Sequence, residues 1–517
     1  MTTLGAIACG HPQTAAAAET VLREGGNAFD AAVAALFMAC VAEPVLASLG
    51  GGGFLLARTA DGKECVYDFF AQTPRRKRPA EKLEFYPIEA DFGPARQEFH
   101  IGLGAAATPG AVKGAFAVHR DLCALPMTEL VRPAATVARE GVTLSPFQAY
   151  LLKVIRPILF SSEAARRLFT TDPEGRRLAQ AGEVLRQEQL ANTLETLARE
   201  GEDVFYQGEI ARQVVELCRD GGLLGAEDLA EYRVLRRPPL ALRYRDTRIL
   251  SNPPPSSGGI LIGFALKLLE PLDLGAAPFG SGAHLLPLAD AMDLSNQARI
   301  DLQLDAGRPA ALERALDPDF LKRYRAEILK RQRSPRGTTH ISVTDAAGNV
   351  AALSISNGEG CGHLIPGTGI MLNNMLGEAD LNLGGFHRWR PDERMTSMMA
   401  PSLVSLPDGR LIALGSGGSN RIRTALLQVM LNLSDFRLPL QDAIDRPRIH
   451  CEPGQLHAEP GFDPAVLEQL AQHFPHHKIW RERNLFFGGV HAVMRRGAAA
   501  MEGAGDPRRG GCARVIA

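Results

Sequence analysis

Residues 337–356 read Gly-Thr-Thr-His-Ile-Ser-Val-Thr-Asp-Ala-Ala-Gly-Asn-Val-Ala-Ala-Leu-Ser-Ile-Ser. Thr338 to Thr344 alternates in side-chain character, and Asn349 to Ser356 is again strand-like. Between them Asp345-Ala346-Ala347-Gly348 reads as a turn, with Gly348 free to take the positive φ that such turns require. The stretch therefore predicts a β-hairpin. A second hairpin follows from Ser402–Ser405, Pro407-Asp408-Gly409 and Leu411–Leu414. It opens into Gly415-Ser416-Gly417-Gly418-Ser419 and then an apolar helix, Ile422–Leu433.

Working back toward the N-terminus, residues 110–235 are helical by pattern. Thr14–Ala42 is alanine-rich helix interrupted at Gly25-Gly26-Asn27, where Asp30 fits a new helix start. The glycines Gly50–Gly53 precede Phe54-Leu55-Leu56, and Cys65–Phe70 is a short strand-like run. At 251–259 the chain reads SNPPPSSGG, a segment too proline-rich for a helix interior or a central strand. No internal repeat and no break in composition divides the chain.

The 517 residues can bury a large core without disulfides or metals. Lysine plus arginine number 57 and acids 58, so the charge balance gives no support for nucleic-acid or membrane-surface binding. Arg75-Arg76-Lys77-Arg78 reads as a solvated loop. The cysteines Cys9, Cys40, Cys65, Cys123, Cys218, Cys361, Cys451 and Cys512 form no CxxC pair, so reduced thiols in a cytoplasmic protein are expected. The N-terminus lacks a basic start followed by an apolar run, and the longest apolar stretch, about Ala31–Val41, is too short to span a bilayer. No metal or organic cofactor is expected.

Two threonines in a strand are unremarkable by themselves. A different chemistry opens if the Gly337–Thr338 bond is cut. Thr338 would then carry a hydroxyl nucleophile and a free α-amino group on one residue, and an α-amino group with a pKa of about 7.7–8.0 can serve as the base. Gly337 leaves the carbonyl to be attacked unencumbered and permits strained backbone there. An N-to-O acyl shift followed by hydrolysis would make that cut without another protease. Gly417-Gly418, between strand and helix, reads either as a helix-start turn or as an oxyanion hole, whose donors are each worth about 3–4 kcal/mol to a transition state.

These residues sit within a longer likeness. GGNAFDAAVAALFMACVAEP (25–44), SLGGGGFLL (48–56), ATPGAVKGAFAVHRDL (107–122), FYQGEIARQVVELCRDGGLLGAEDLAEYRV (205–234), NPPPSSGGILI (252–262), PGTGIMLNNML (366–376), MTSMMAPSLV (395–404), GSGGSNRIRTALLQVMLN (415–432) and DPRRGG (506–511) accompany GTTHISVTDAAGNVAALSIS in order. Together they resemble the γ-glutamyltransferase (glutathione hydrolase) family of N-terminal-nucleophile hydrolases. The resemblance implies an αββα sandwich of two stacked, mainly antiparallel sheets flanked by helices. It implies one domain over 1–517 built from interleaved subunits, 1–337 and 338–517, after self-cleavage. It implies Thr338 as nucleophile, Ser356 as a hydroxyl on its amino group, and Gly417 and Gly418 as the oxyanion hole. Asn357 and Glu378 would bind the substrate, Glu378 at its α-amino group, while Thr396 and Ser397 would hold its α-carboxylate. The implied partners are a small γ-glutamyl or related amide and a water or amino-acid acceptor, in a monomer or homodimer.

The sequence also departs from the family. Asp68-Phe69-Phe70-Ala71 places Phe70 where the family carries the arginine that grips the α-carboxylate, and Met375 falls where a polar glutamine is expected. Each lost contact to a charged group removes about 1.5–3 kcal/mol of binding. Arg394, Arg421 and Arg423 are the cations that could replace the charge. Three functions are therefore compared: a γ-glutamyl amide hydrolase or transferase, a related amidohydrolase for another acyl group of the cephalosporin-acylase kind, and an inactive binding relative.

Overall fold

In the computed structural model, which describes residues 3–91, 96–172, 174–302, 314–317, 320–321, 338–382, 384–452, 454–497 and 500–517, strands Thr339–Asp345 and Val350–Ser356 pair antiparallel as the expected hairpin. The Asp345 carboxylate accepts the N–H groups of Gly348 and Asn349, each at 2.9 Å, and Gly348 has φ 107°. Asp345 also accepts the Ala28 N–H at 2.9 Å. The turn is thereby tied to the start of helix Ala28–Ala42, which Asn27 and Asp30 cap reciprocally.

The hairpin is the centre of a seven-stranded antiparallel sheet. Its order is Cys512–Ile516, Gly5–Cys9, Thr339–Asp345, Val350–Ser356, Gly52–Arg58, Glu64–Phe69 and Leu235–Arg237. A six-stranded antiparallel sheet stacks on it, in the order Ala500–Ala504, Gly489–Arg496, Leu411–Gly417, Ser402–Ser405, Thr247–Ser251 and Leu240–Tyr244.

Period-two alternation divides the hairpin between two cores. Ile341, Val343, Ala351, Leu353 and Ile355 face the helices Pro12–Arg23, Ala28–Ala42 and Ala111–Leu122. Each large aliphatic among them is fully buried, worth about 1.5–3 kcal/mol. The other face meets the second sheet, with Val350, Ala352, Phe54 and Leu56 in its core. The polar residues of that face satisfy one another: His340 bonds Ser354 Oγ at 2.8 Å and Ser342 Oγ at 2.9 Å, and burial holds its imidazole neutral. Helices Gly258–Leu269 and Arg421–Ser434 cover the far side of the six-stranded sheet. The result is the αββα sandwich.

The glycine run has a steric reason. A Cβ on Gly51 would lie 2.2 Å from the Ser356 carbonyl oxygen, and one on Gly53 2.2 Å from that of Ser354. Only glycine lets this strand close on the hairpin. The helix break at 25–27, the helical character of 110–235, the second hairpin and its following helix are all present. The eight cysteines are free thiols. No helix among the described residues is long and apolar enough to cross a membrane.

Candidate active site

Thr338 lies at the mouth of the hairpin and is 4% exposed. Extending the register Thr339↔Ile355 by one residue sets it opposite Ser356. Ser356 Oγ accepts the Gly358 N–H at 3.1 Å, which folds the chain after the strand back toward the threonine. Gly337, the residue before Thr338, lies outside the described residues.

The second sheet brings the glycine turn to the same place. A Cβ on Gly417 would stand 1.7 Å from the Thr338 carbonyl oxygen, so the two backbones are in direct contact. Gly417 still belongs to the strand Leu411–Gly417, opposite Gly489. Beyond it Gly418 has φ 121° and Ser419 φ 50°. The N–H groups of these two residues have no acceptor among the described residues. Among the described residues the N–H groups of Gly418 and Ser419 are therefore open to an oxyanion, and Gly417 gives the turn clearance beside Thr338.

Of the residues expected to bind substrate, Asn357 and Glu378 meet at one turn, and Thr396 and Ser397 lie on a separate segment. Asn357 is buried and neither polar atom of its amide has a hydrogen-bond partner. The Glu378 carboxylate is packed against the same turn, with Oε1 2.3 Å from where a Gly358 Cβ would be. Thr396 and Ser397 are buried, and Ser397 Oγ accepts the Met399 N–H at 3.1 Å. The proline-rich segment holds this stretch in place: Ser256 Oγ donates to the Ser397 and Met399 carbonyls at 2.8 and 3.0 Å, and the Ser257 N–H donates to Ser397 at 2.9 Å. The sequence SNPPPSSGG excludes a helix interior and a central strand but does not reveal these contacts. Its paired serines after three prolines were the available signal.

Two further polar residues, Arg509 and Glu43, contact Thr338 and Thr339. Arg509 donates to the Thr338 carbonyl at 3.3 Å and to Leu485 O at 3.3 Å, and burial lowers its pKa to about 10. Glu43 accepts from Thr339 Oγ1 at 2.8 Å and Thr14 Oγ1 at 3.2 Å. Burial raises its carboxyl to about 7 despite those two hydroxyls. It also lines a cavity of about 600 Å³ bounded by His11, Leu46, Phe147 and Leu152.

The altered residues are part of the core. Phe70 is 1% exposed and its ring stacks on Phe54 at 5.3 Å. Met375 is equally buried and its N–H donates to Asn373 Oδ1 at 3.1 Å. Arg394 is consumed locally, 3.4 Å from Asp68 and bonded to Phe70 O and Tyr232 OH, both at 2.5 Å. Arg423 pairs with Glu452 and donates to Ser295 Oγ at 2.5 Å. Arg421 is fully buried, and none of its guanidinium nitrogens has a hydrogen-bond partner among the described residues.

Residues 14–516 match the family model described as gamma-glutamyltranspeptidase. The chain is 33% identical over 508 residues to the Acylase ACY 1 proenzyme of Pseudomonas sp. (strain SE83), covering 95% of this chain and 89% of that one. It is 31% identical over 532 residues to the glutathione hydrolase proenzyme of Escherichia coli (strain K12), covering 94% and 87%. In structure it resembles the cephalosporin acylase from Bacillus halodurans, with a TM-score of 0.85 at 24% identity over 99% of this chain and 96% of that one. The Helicobacter pylori gamma-glutamyltranspeptidase superposes with a TM-score of 0.54 at 28% identity, over 63% of this chain and 91% of that one. With the family model and both relatives spanning nearly its whole length, this chain is an enzyme of the gamma-glutamyltranspeptidase family.

Proposed function

We propose that this enzyme cleaves small amides through a threonyl ester on Thr338, and that it matures by cutting its own Gly337–Thr338 bond. The observation that carries the reading is the contact of Thr338 with Gly417, which sets the nucleophile beside the unbonded N–H groups of Gly418 and Ser419.

In maturation the Thr338 hydroxyl attacks the Gly337 carbonyl carbon. The C–N bond to Thr338 breaks, leaving an ester and a free α-amino group, and water hydrolyses the ester. In turnover the amino group takes the hydroxyl proton as Oγ attacks the substrate carbonyl, then gives it to the departing amine. Ser356, opposite Thr338, is the hydroxyl available to orient that amino group. Arg509 fixes the Thr338 carbonyl, so the nucleophile turns only about its own side chain. Water then attacks the ester and releases the acid; an amine acceptor in place of water gives transfer.

For the acyl group, Phe70 directs the choice. Its ring lies in the core against Phe54, and the nearby Arg394 is committed to Asp68 and Tyr232. Phe70 offers no charge to an α-carboxylate, which favours an acylase-type substrate whose acyl chain is not γ-glutamyl. A second reading, γ-glutamyl hydrolysis or transfer, is favoured by the Glu378 carboxylate beside the unbonded Asn357 amide, a pairing suited to an α-amino group.

A denaturing gel tests maturation. The purified protein is expected as two chains, residues 1–337 and 338–517. A single full-length band that persists on incubation would sink the nucleophile assignment. Thr338→Ala is expected to abolish both cleavage and amide turnover. A γ-glutamyl anilide assayed beside a glutaryl anilide then separates the acyl readings, since turnover of the first alone eliminates the acylase reading.

A further inference from the structure

Cys9 and Cys512 stand directly opposite each other where Gly5–Cys9 pairs antiparallel with Cys512–Ile516. Their sulfur atoms are 3.8 Å apart. Residues opposed in this way have Cα atoms about 4.5–5.5 Å apart, inside the range of roughly 4.4–6.8 Å that a disulfide spans. Closing the pair therefore asks for side-chain rotation and a small approach of the sulfurs, with the strand register unchanged.

The two thiols differ in access. Cys512–Ile516 is the edge strand of the seven-stranded sheet, and Cys512 is half-buried. Cys9 lies one strand further in, has no exposed surface, and donates to the His11 carbonyl at 3.4 Å. Burial pushes the Cys9 thiol up, whereas the bond to Cys9 holds Cys512 below the ordinary thiol value. The thiolate is the reactive form, so Cys512 is the sulfur that meets a reagent from solvent and Cys9 is the one behind it.

The pair spans 503 positions of sequence and lies on opposite sides of the Gly337–Thr338 bond. Both members adjoin residues that touch the nucleophile strand. A Cβ on Gly10, next to Cys9, would lie 3.1 Å from Thr339 Oγ1. Arg509, on the approach to Cys512, donates to the Thr338 carbonyl.

We propose that Cys9 and Cys512 form an oxidisable pair whose disulfide joins segment 1–337 to segment 338–517 beside Thr338. The oxidant is a low-molecular-weight disulfide. Cys512 gives its proton to solvent and its thiolate attacks one sulfur of the reagent. The reagent S–S bond breaks, and the first small thiolate departs and takes a proton from solvent. Cys9 then attacks the Cys512 sulfur of the mixed disulfide, and its proton goes to the second departing thiolate. The protein pair loses two electrons and two protons, and the small disulfide is reduced to two thiols. The reactive pair exists in either form of the chain; that its disulfide joins two separate chains rests on the proposed cut. Once the chain is cut, the disulfide adds a covalent tether to the backbone ladders that hold the segments together.

The test treats wild-type and Thr338→Ala protein under native conditions with bis(2-hydroxyethyl) disulfide, followed by alkylation and digestion without reduction. Mass spectrometry is expected to find a Cys9 peptide linked to a Cys512 peptide in both proteins. In Cys9→Ser the small-thiol adduct should remain on Cys512, whereas in Cys512→Ser the buried Cys9 should stay unmodified. On a non-reducing denaturing gel, cleaved and oxidised wild type should run as one band that a reductant splits into two. An unreacted Cys512, an adduct that persists on Cys512 in the wild type, or a link from Cys512 to a different cysteine overturns the proposal. A Cys9–Cys512 link in a wild-type chain that never cleaves supports the pair and rejects only the nucleophile reading.

Discussion

Replacing Gly417 with alanine tests the contact on which the site depends. The added Cβ would lie 1.7 Å from the Thr338 carbonyl oxygen and 2.7 Å from its carbon, whereas ordinary contact begins at 3.4 Å. The strand end and Thr338 must therefore separate by more than an ångström. Neither can yield freely: Gly417 is laddered to Gly489, and Arg509 holds the Thr338 carbonyl. Overpacking of this kind costs about 1–3 kcal/mol of stability, which the sandwich can absorb. The chemistry is less tolerant, because misplacement of a reacting group by about 1 Å costs on the order of a hundredfold in rate. Gly417→Ala is expected to fold, to self-cleave at least about a hundredfold more slowly, and to turn over amides correspondingly less. A denaturing-gel time course gives the first rate and an anilide assay the second. Circular dichroism confirms that the protein is folded. Wild-type rates in a folded Gly417→Ala protein would show that the glycine turn does not meet the nucleophile and would refute the reasoning.

Three further outcomes follow from named contacts. Glu43 has its folded pKa raised from 4.5 to about 7 by burial, so its contribution is fully present below pH 4.5 and is lost as pH rises through 7. Glu43→Gln should flatten that loss, with a relative gain of up to about 3 kcal/mol at pH 8 over pH 4.5 in denaturant titrations of both proteins; parallel pH profiles would refute it. Ser256→Ala removes the donor shared by the Ser397 and Met399 carbonyls. It should cost about 1–3 kcal/mol of stability and raise KM more than it lowers kcat, and an unchanged KM would count against a positioning role. Arg394→Met removes one of two cations on the fully buried Asp68, which keeps Arg237 at 2.9 Å, while the Tyr232 hydroxyl keeps its bond to the Phe70 carbonyl, so a loss of about 1–3 kcal/mol is expected in chemical denaturation; a loss below about 0.5 kcal/mol would mean that this ion pair is not needed.

Local patterns were easily legible. The hairpins at 339–356 and 402–417 carry their own turn chemistry in Asp345, Gly348 and Gly409, and the Ala28–Ala42 helix carries its own cap. Short-range rules suffice for such elements. The order of strands across the sheets was not legible in the sequence, since pairing Gly5–Cys9 with both Cys512–Ile516 and Thr339–Asp345 joins the two ends of the chain. The missed residues share that property. Arg509 meets Thr338 across 171 positions, Glu43 meets Thr339 across 296, and Ser256 meets Ser397 across 141. No periodicity announces such contacts. The same holds for the candidate cations: Arg394, Arg421 and Arg423 were equivalent as letters, and only their partners distinguish two committed guanidinium groups from one that is unbonded.

Strand order also bears on why a cut at Gly337–Thr338 need not loosen the molecule. Within the seven-stranded sheet Gly5–Cys9 lies between Cys512–Ile516 and Thr339–Asp345, and Val350–Ser356 lies against Gly52–Arg58. In the second sheet Thr247–Ser251 pairs with Ser402–Ser405. Where strands of the two segments meet in these two sheets, the boundary is thus a ladder of backbone hydrogen bonds within a buried layer. Breaking one peptide bond removes a chain tether but none of these ladders, so the segments remain held by the same cores that hold the intact chain. What the cut changes is local. It would convert the Thr338 nitrogen from an amide, which cannot accept a proton, into an amine that can, at a point where Arg509 and the glycine turn already lie against it. Under the proposed function, the interleaved fold would let one residue exchange a structural bond for a catalytic base while its neighbours keep their positions.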